Sequence, residues 1–405
     1  MNVQFSNPKM LQKITLISSS HLSSNPRLVK EAEALSEAGF VVSVIFLQHI
    51  AELENFDEDI IKKLPKVKFY KINFGSKNRA SRYLNYKRLL RKFWIRINLK
   101  SKLSENVFFP EFKNLINKNT ADLYIGHTLL ALPIVAWAAK NNGTKFAFDA
   151  EDYHRGETTD KIQNNFAQVI ENKYLNGAEY ISTASQFISD AYLKNFKQQN
   201  IITLNNFFTY NALAPREKIN NSKPIKIVWF SQTIGLNRGL KEFISKLVLQ
   251  NSDLIELHLR GTSNEFIQSQ LLENVSTGWI NKIFFYPQCN PIELSFWLQG
   301  FDIGLALEPG FSINNEIAIS NKIFQYFNAG LAVIATPTTG QKWVIQQAPD
   351  AGVILSPDSN LDILKSWAEN RSNLEDAKQA AVIAAKSKFD WNDEKKKLIE
   401  VIKQI

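Results

Sequence analysis

Short apolar runs alternate with segments of helical period along most of the chain. Ile14 to Ile17 reads as a buried strand, followed by a serine-rich loop. Asn25 and Pro26 then cap and open a helix with Leu28, Ala32 and Leu35 on one face, and Gly39 closes it. A second apolar run, Val41 to Phe46, follows at once. Strand, loop, helix and strand joined by so short a return are the signature of a parallel unit. The pattern recurs from Asp122: a strand to Ile125 ending in Gly126-His127, a helix from Pro133 to Lys140, an Asn142-Gly143 turn, and a strand from Lys145 to Phe148. Glu179 to Thr183 and Ile201 to Leu204 read as the last two strands of this half.

Thr209 to Pro224 is polar, holds Pro215 and Pro224, and has no apolar period, which predicts a linker. Beyond it the pattern restarts with a strand from Ile225 to Phe230, a loop from Ser231 to Gly239 and a helix from Leu240 to Leu247. Further strands are expected at Ile255 to Leu259, Ile283 to Tyr286, Ile303 to Leu307 and Ala332 to Ala335. The fold expected is α/β: two tandem Rossmann-like, doubly wound domains facing each other across a cleft. Their bounds are 1–208 and 225–387, joined by 209–224, with a last helix over about 388–405 packing back on the first domain. Ligands of such sheets sit beyond the carboxyl ends of strands, so the loops at Ser18, Gly126, Asp149, Ser231, Arg260 and Glu308 are expected to converge on that cleft.

Composition narrows the class. Among 405 residues, 44% are apolar and 12% aromatic, enough for large cores, which excludes disorder as the main state. One cysteine, Cys289, excludes an internal disulfide framework and points to a reducing compartment. Met1 to Ser20 lacks the apolar core of a secretory signal, and no segment approaches the roughly 20 apolar residues that span a bilayer. A cytoplasmic protein is expected.

Two stretches of the second half could carry chemistry. The loop "SQTIGLNRG" places Gly235, Arg238 and Gly239 between a strand and a helix, where small residues let backbone approach a phosphate and the Arg238 guanidinium matches its oxygens. Arg260-Gly261 ends the next strand and offers a second cation; an ordinary surface arginine is the plainer alternative. From Glu308 to Thr336, Ser320 is read as the cap of a helix holding Asn321 and Lys322 in its first turn and ending at Gly330. A lysine there opposes the helix dipole unless an anion sits nearby, whereas a diphosphate would take both the free amides and the ammonium. A lysine pointing into solvent is the alternative.

In the first half His127 follows a strand and shares an edge with Asp149, Glu151, Asp152 and His154. The histidine could position a sugar hydroxyl or phosphate oxygens and the carboxylates could grip hydroxyls or act as base; a hydrogen-bonded core histidine is the alternative. No metal is expected, since these carboxylates share no helical spacing and nothing supplies a definite third and fourth ligand.

The order "NPRLVKEAEALSEAGFVVSVI", "ADLYIGHTLLALPIVAWAAKNNGTKFAFDAEDYH" and "SNKIFQYFNAGLAVIATPTTG" resembles the family 4 type of nucleotide-sugar glycosyltransferase with the GT-B fold, over nearly the whole chain and as a divergent member. The resemblance implies transfer of a sugar from a nucleoside diphosphate sugar to a glycan or lipid-linked acceptor in cell-surface polysaccharide or glycoconjugate synthesis. It implies retention at the anomeric carbon, no cofactor and no required metal. Residue by residue, Arg238 resembles the cation that holds the diphosphate and His127 the histidine near the transferring sugar. Ser231, Gly235, Arg260, Gly261, Tyr286, Ser320, Asn321 and Gln325 fall on the donor side, and Asp152 and His154 on the acceptor side. Lys322 and Glu316 join the catalytic set. The chain departs from the family at Gln325, where a ribose-binding glutamate is usual, at Ile317, one residue past Glu316, and at Gln232, where an arginine is usual. A nucleotide-sugar epimerase or hydrolase on the same architecture, or a noncatalytic sugar-nucleotide scaffold, are the alternatives.

Charge adds one more feature. The formal net charge is +9, yet Lys77 to Lys102 holds ten Lys or Arg and no acid, and outside it 38 basic residues face 39 acidic ones. Tyr83, Tyr86, Leu90, Phe93 and Ile97 recur there at helical spacing, flanked by Leu89 and Trp94. Such a helix either lies on an anionic membrane surface or packs on its own domain with a solvated basic face. The first choice puts the protein at the inner face of the cytoplasmic membrane. Nucleic acid is not expected, because no recognised binding module accompanies the basic run.

Overall fold

The computed structural model describes residues 11–405 apart from 75–84, 88, 91, 95–104, 198, 212–222, 251–252 and 356–360. The chain forms two compact units, Met1–Asn205 with Asp393–Ile405, and Asn206–Asn392. The first holds a parallel sheet in the order β3-β2-β1-β4-β5-β6-β7, built from β1 (Lys13–Ser18), β2 (Val41–Gln48), β3 (Lys68–Asn73), β4 (Leu123–His127), β5 (Lys145–Glu151), β6 (Ile181–Thr183) and β7 (Ile201–Thr203). The second holds a parallel sheet in the order β10-β9-β8-β11-β12-β13, built from β8 (Ile225–Thr233), β9 (Ile255–Thr262), β10 (Ile283–Tyr286), β11 (Ile303–Ala306), β12 (Ala332–Ala335) and β13 (Gly352–Ile354).

Helices cover both faces of a parallel sheet, so its central strands are apolar without alternation. Ile14, Leu16 and Ile17 of β1 and Val44, Ile45 and Phe46 of β2 are all fully buried. Strand order reverses where β1 meets β4 and where β8 meets β11, the switch points beyond which ligands of such sheets bind. β3 and β13 were not legible in the sequence. Both are edge strands; β3 buries only Ile72 and β13 only Gly352, so neither presents a buried apolar run.

The carboxyl-terminal helix, Trp391–Lys403, contributes to the first unit through Glu394, which is buried and accepts from the backbone N–H (3.0 Å) and side-chain amide (3.1 Å) of Asn205. Most of the expected linker, Thr209 to Pro224, lies outside the described residues, as does most of Lys77 to Lys102, including Tyr83, Arg88, Arg91, Arg96 and Ile97. Within that run residues 85–87, 89–90 and 92–94 are helical. Tyr86, Leu89 and Phe93 are exposed, while Leu90 and Trp94 are half-buried, so the exposed apolar face differs from the stripe expected through Leu90. Lys87 turns the other way and pairs with Glu111 at 2.5 Å, its ammonium 5.3 Å from the Phe108 ring centre. Among the described residues no helix is long and apolar enough to cross a membrane.

Candidate functional site

In the second unit the site begins where β8 and β9 end. A Cβ on Gly261 would stand 2.5 Å from the Ser231 carbonyl oxygen, and Gly261 has φ +153, so glycine is needed there for backbone to approach backbone. Gly261 therefore shapes the edge rather than contacting a ligand through a side chain. Around Gly235 there is open space. Arg238 closes a short 3-10 turn, is exposed, and forms no ion pair among the described residues. The next residue, Gly239 (φ +70), starts the helix Leu240–Leu247 beside Leu307 of the neighbouring strand end, 3.5 Å from where its own Cβ would be. The loops after β8 and β11 thus adjoin at the switch point.

The helix Asn321–Ala329 is fixed over β11 by close approach. A Cβ on Gly304 would fall 2.1 Å from the Tyr326 ring, and the Tyr326 hydroxyl donates to the Leu305 carbonyl at 3.0 Å. Gly330, with φ +68, ends that helix with its N–H on Phe327. Its start faces Glu308, two residues beyond β11. One Glu308 oxygen accepts from Ser320 Oγ (2.8 Å) and Lys322 Nζ (3.1 Å), and the other from Asn315 Nδ2 (2.9 Å). Burial alone would raise the Glu308 pKa; the Lys322 charge and these donors hold it below the usual carboxylate range.

This geometry corrects two expectations. Ser320 stands at the N-cap position but its side chain does not cap the helix; its hydroxyl is directed at Glu308 and donates to the carboxylate. Lys322 neither stands unopposed at the helix start nor points freely into solvent, since its ammonium is paired with Glu308 and largely covered. Asn321 and Gln325, one turn apart on the same helix, are half-buried. Glu316 sits at the start of another helix, accepting from Thr339 N (2.9 Å) and Oγ1 (2.7 Å), where it caps Thr339–Gln347. Glu308, which the sequence marked only as a loop start, is the carboxylate that pairs with Lys322.

Arg260 is also not the open cation expected. It is buried with its guanidinium 4.1 Å from the Trp297 ring centre and 5.5 Å from that of Tyr286, and its Nε has no hydrogen-bond partner. Tyr286 in turn donates or accepts at His258 Nδ1 (3.1 Å), so its hydroxyl belongs to this aromatic cluster.

In the first unit the end of β4 and β5 holds a buried network of charges. Arg27 Nε donates to Asp149 Oδ2 at 2.7 Å and lies 3.8 Å from Glu31. His127 lies 3.2 Å from Asp149 and 3.4 Å from Glu31, and Ser182 donates to the other Asp149 oxygen at 2.7 Å. All of these side chains are enclosed, which corrects the expectation of a histidine open to ligand and agrees with a histidine of the core. Burial opposes a charge on His127, but Glu31 and Asp149 more than offset it and raise its pKa to about 9. Glu31, His127 and Asp149 are near enough to share a cation, and Arg27 already stands among them as one. The signal for this network was present: Arg27 and Glu31 are spaced by four on the apolar face of the helix Pro26–Glu37.

Strain marks the same edge. Thr128 (φ +74) and Glu151 (φ +44) are non-glycine residues in left-handed conformations directly after β4 and at the end of β5. Burial, then Asp152 and Asp149, push the Glu151 carboxyl up to about 7. Asp152 is half-buried next to it, and His154 is buried and paired with Glu157 at 2.9 Å.

With that geometry in hand, the chain can be set beside known proteins. Neither a family model nor a curated protein sequence matches it. Solved structures do, over almost its full length. Sucrose-phosphate synthase from Thermosynechococcus elongatus is similar with a TM-score of 0.72 at 13% identity, covering 97% of this chain and 98% of that one. HepE from Anabaena, solved with UDP and glucose, has a TM-score of 0.69 at 13% identity over 97% and 100% of the two chains. A glycosyltransferase from Rickettsia africae has a TM-score of 0.65 at 16% identity over 97% and 98%. The chain has the GT-B fold. In that fold the units carrying Arg238 and His127 are each doubly wound, as the sequence had implied.

Proposed function

We propose that this protein is a glycosyltransferase that moves a sugar from a nucleoside diphosphate sugar to a glycan or lipid-linked acceptor, within the family 4 type. The observation that carries the reading is the pairing, at one switch point, of an exposed Arg238 with a helix start that has no side-chain cap and bears Lys322. Charge that builds on a departing diphosphate is stabilised by fixed donors of this kind, and the amides of the first turn at Asn321 and Lys322 add to the two cations. The full-length likeness to HepE, solved with UDP and glucose, supports a nucleotide-sugar donor.

The remaining roles are those the resemblance implies. In this reading Gln325, one turn into the helix, binds the ribose, Tyr286 borders the base, and Asp152 and His154 serve the acceptor. Transfer with retention asks for no protein nucleophile, because the leaving diphosphate can take the acceptor proton on the face where the new bond forms. No metal or cofactor is assigned. The exposed Tyr86, Leu89 and Phe93 within the basic Lys77 to Lys102 run support a place on an anionic membrane surface, where a lipid-linked acceptor for polysaccharide or glycoconjugate synthesis would be met.

The test is nucleotide release from a panel of UDP, GDP and CMP sugars, with and without lipid-linked acceptors. Acceptor-dependent release with a glycosylated product is expected. Release without acceptor would identify a hydrolase, a changed sugar an epimerase, and binding without turnover a scaffold; each overturns the transfer reading.

A further inference from the structure

Two features at the start of the helix Asn321–Ala329 are unfavourable by themselves. Ser320 stands at the N-cap but gives its hydroxyl away, leaving the first amides without a side-chain partner, and Lys322 brings a cation to the positive end of the helix dipole. Both converge on one carboxylate oxygen of Glu308. Glu308 is itself held: Asn315 donates to its second oxygen, its backbone N–H donates to Thr336 Oγ1 at 2.8 Å, and the Thr336 hydroxyl donates to its carbonyl at 2.7 Å. Asn315 in turn accepts from Gly310 N, at 2.5 Å, so the loop after β11 is tied to the same residue. An acid needed only to end a strand would require none of this.

We infer that Glu308 is a positioning residue for the donor diphosphate: it fixes the Lys322 ammonium and turns the Ser320 hydroxyl away from the helix, so that the first-turn amides and the remaining ammonium protons stay available to a phosphate. This rests on the donor reading above. An ammonium has three protons and Glu308 engages one, while the pairing freezes a long side chain that would otherwise lose its freedom when the nucleotide binds. The carboxylate is thus retained in spite of the negative charge it places beside an anion.

The sign of the effect separates this from simple charge neutralisation. UDP and GDP binding are measured by calorimetry on the full chain for the wild type, Glu308→Gln, Lys322→Ala and the double variant, each checked for its melting temperature. Lys322→Ala is expected to weaken the nucleoside diphosphate that binds by at least tenfold. Glu308→Gln should weaken it by a comparable factor, and the double variant should lose less than the two single losses combined, because the part of the Glu308 effect that runs through Lys322 is already gone. Equal or tighter binding by Glu308→Gln, or losses that add in the double variant, overturns the inference. Unchanged binding by Lys322→Ala instead overturns the donor reading at this helix, so the two failures are distinct. Glu308→Asp keeps the charge and serves where the glutamine variant does not fold: with its carboxylate drawn back by one methylene it should also bind more weakly, and wild-type affinity would again refute the positioning role.

Discussion

Arg27 and Asp149 are 122 residues apart in sequence and meet at 2.7 Å with both side chains enclosed. Charges removed so fully from water are tolerable only as a set, and here Arg27 and His127 face Glu31 and Asp149. The pair joins the first helix to the end of β5, so it ties the early part of the unit to the strand carrying Glu151.

Removing one member should leave a buried charge uncompensated. Arg27→Met and Asp149→Asn are each expected to cost about 3–5 kcal/mol in urea unfolding, with the double variant losing less than the sum of the two. Additive losses would show that the two side chains are not energetically linked.

The network also predicts a pH dependence. His127 has its pKa raised to about 9 from the ordinary 6.5, so the stability it supplies is fully present below about pH 6.5 and is lost as pH rises through 9. Lys30, lowered to about 7 by burial and by Arg27, acts in the opposite direction, as its contribution is lost when pH falls through 7. The difference between wild type and His127→Gln isolates the histidine: it should be large at pH 6 and shrink by pH 9. A difference that is flat across this range would refute a charged His127.

Gly304 is required by the Tyr326 ring rather than by its own backbone. Gly304→Ala should destabilise the second unit by about 1–3 kcal/mol or prevent its folding, as overpacked cores do. Tyr326→Leu added to it should recover part of the loss in thermal unfolding, and no recovery would mean the clash lies elsewhere.

Arg238→Ala tests the proposed role of the exposed cation after β8. Because the side chain is exposed, the melting temperature should hardly move, whereas turnover should fall by orders of magnitude. Near wild-type turnover would remove Arg238 from the site.

For the basic helix, the protein is expected to sediment with anionic vesicles at low salt. Replacing Arg88, Arg91, Lys92 and Arg96 with Gln, or Tyr86, Leu89 and Phe93 with Ser, should abolish this, since roughly 1 kcal/mol per basic residue and the exposed apolar face both contribute. Binding equal to wild type by both variants would leave the segment without a membrane role.

Much of the fold was legible in the sequence because central parallel strands bury both faces. Runs such as Ile14 to Ile17 and Ala332 to Ala335 have to be apolar throughout, and the caps at Asn25 and Gly330 follow from local backbone demands. The edge strands β3 and β13 left no such trace. Placement of Arg238, Gly239 and Lys322 in loops and first turns could be read for the same local reasons. Their partners could not: whether Lys322 met solvent, an anion or Glu308 depended on a carboxylate 14 residues away, and Arg260 was drawn onto Trp297 by packing across β9 and the helix Pro291–Leu298.

The sequence by itself determined two doubly wound units, which strand ends carry polar loops, and which side chains those loops contain. These depend on period and on backbone conformation, which are local. Only the tertiary structure decided that His127 is enclosed between Glu31 and Asp149, that the Ser320 side chain leaves its helix uncapped, and that Glu308 gathers the start of the helix Asn321–Ala329. Hydrogen bonds and ion pairs act over a few ångströms, and distance along the chain says nothing of which groups the folded sheet brings that close.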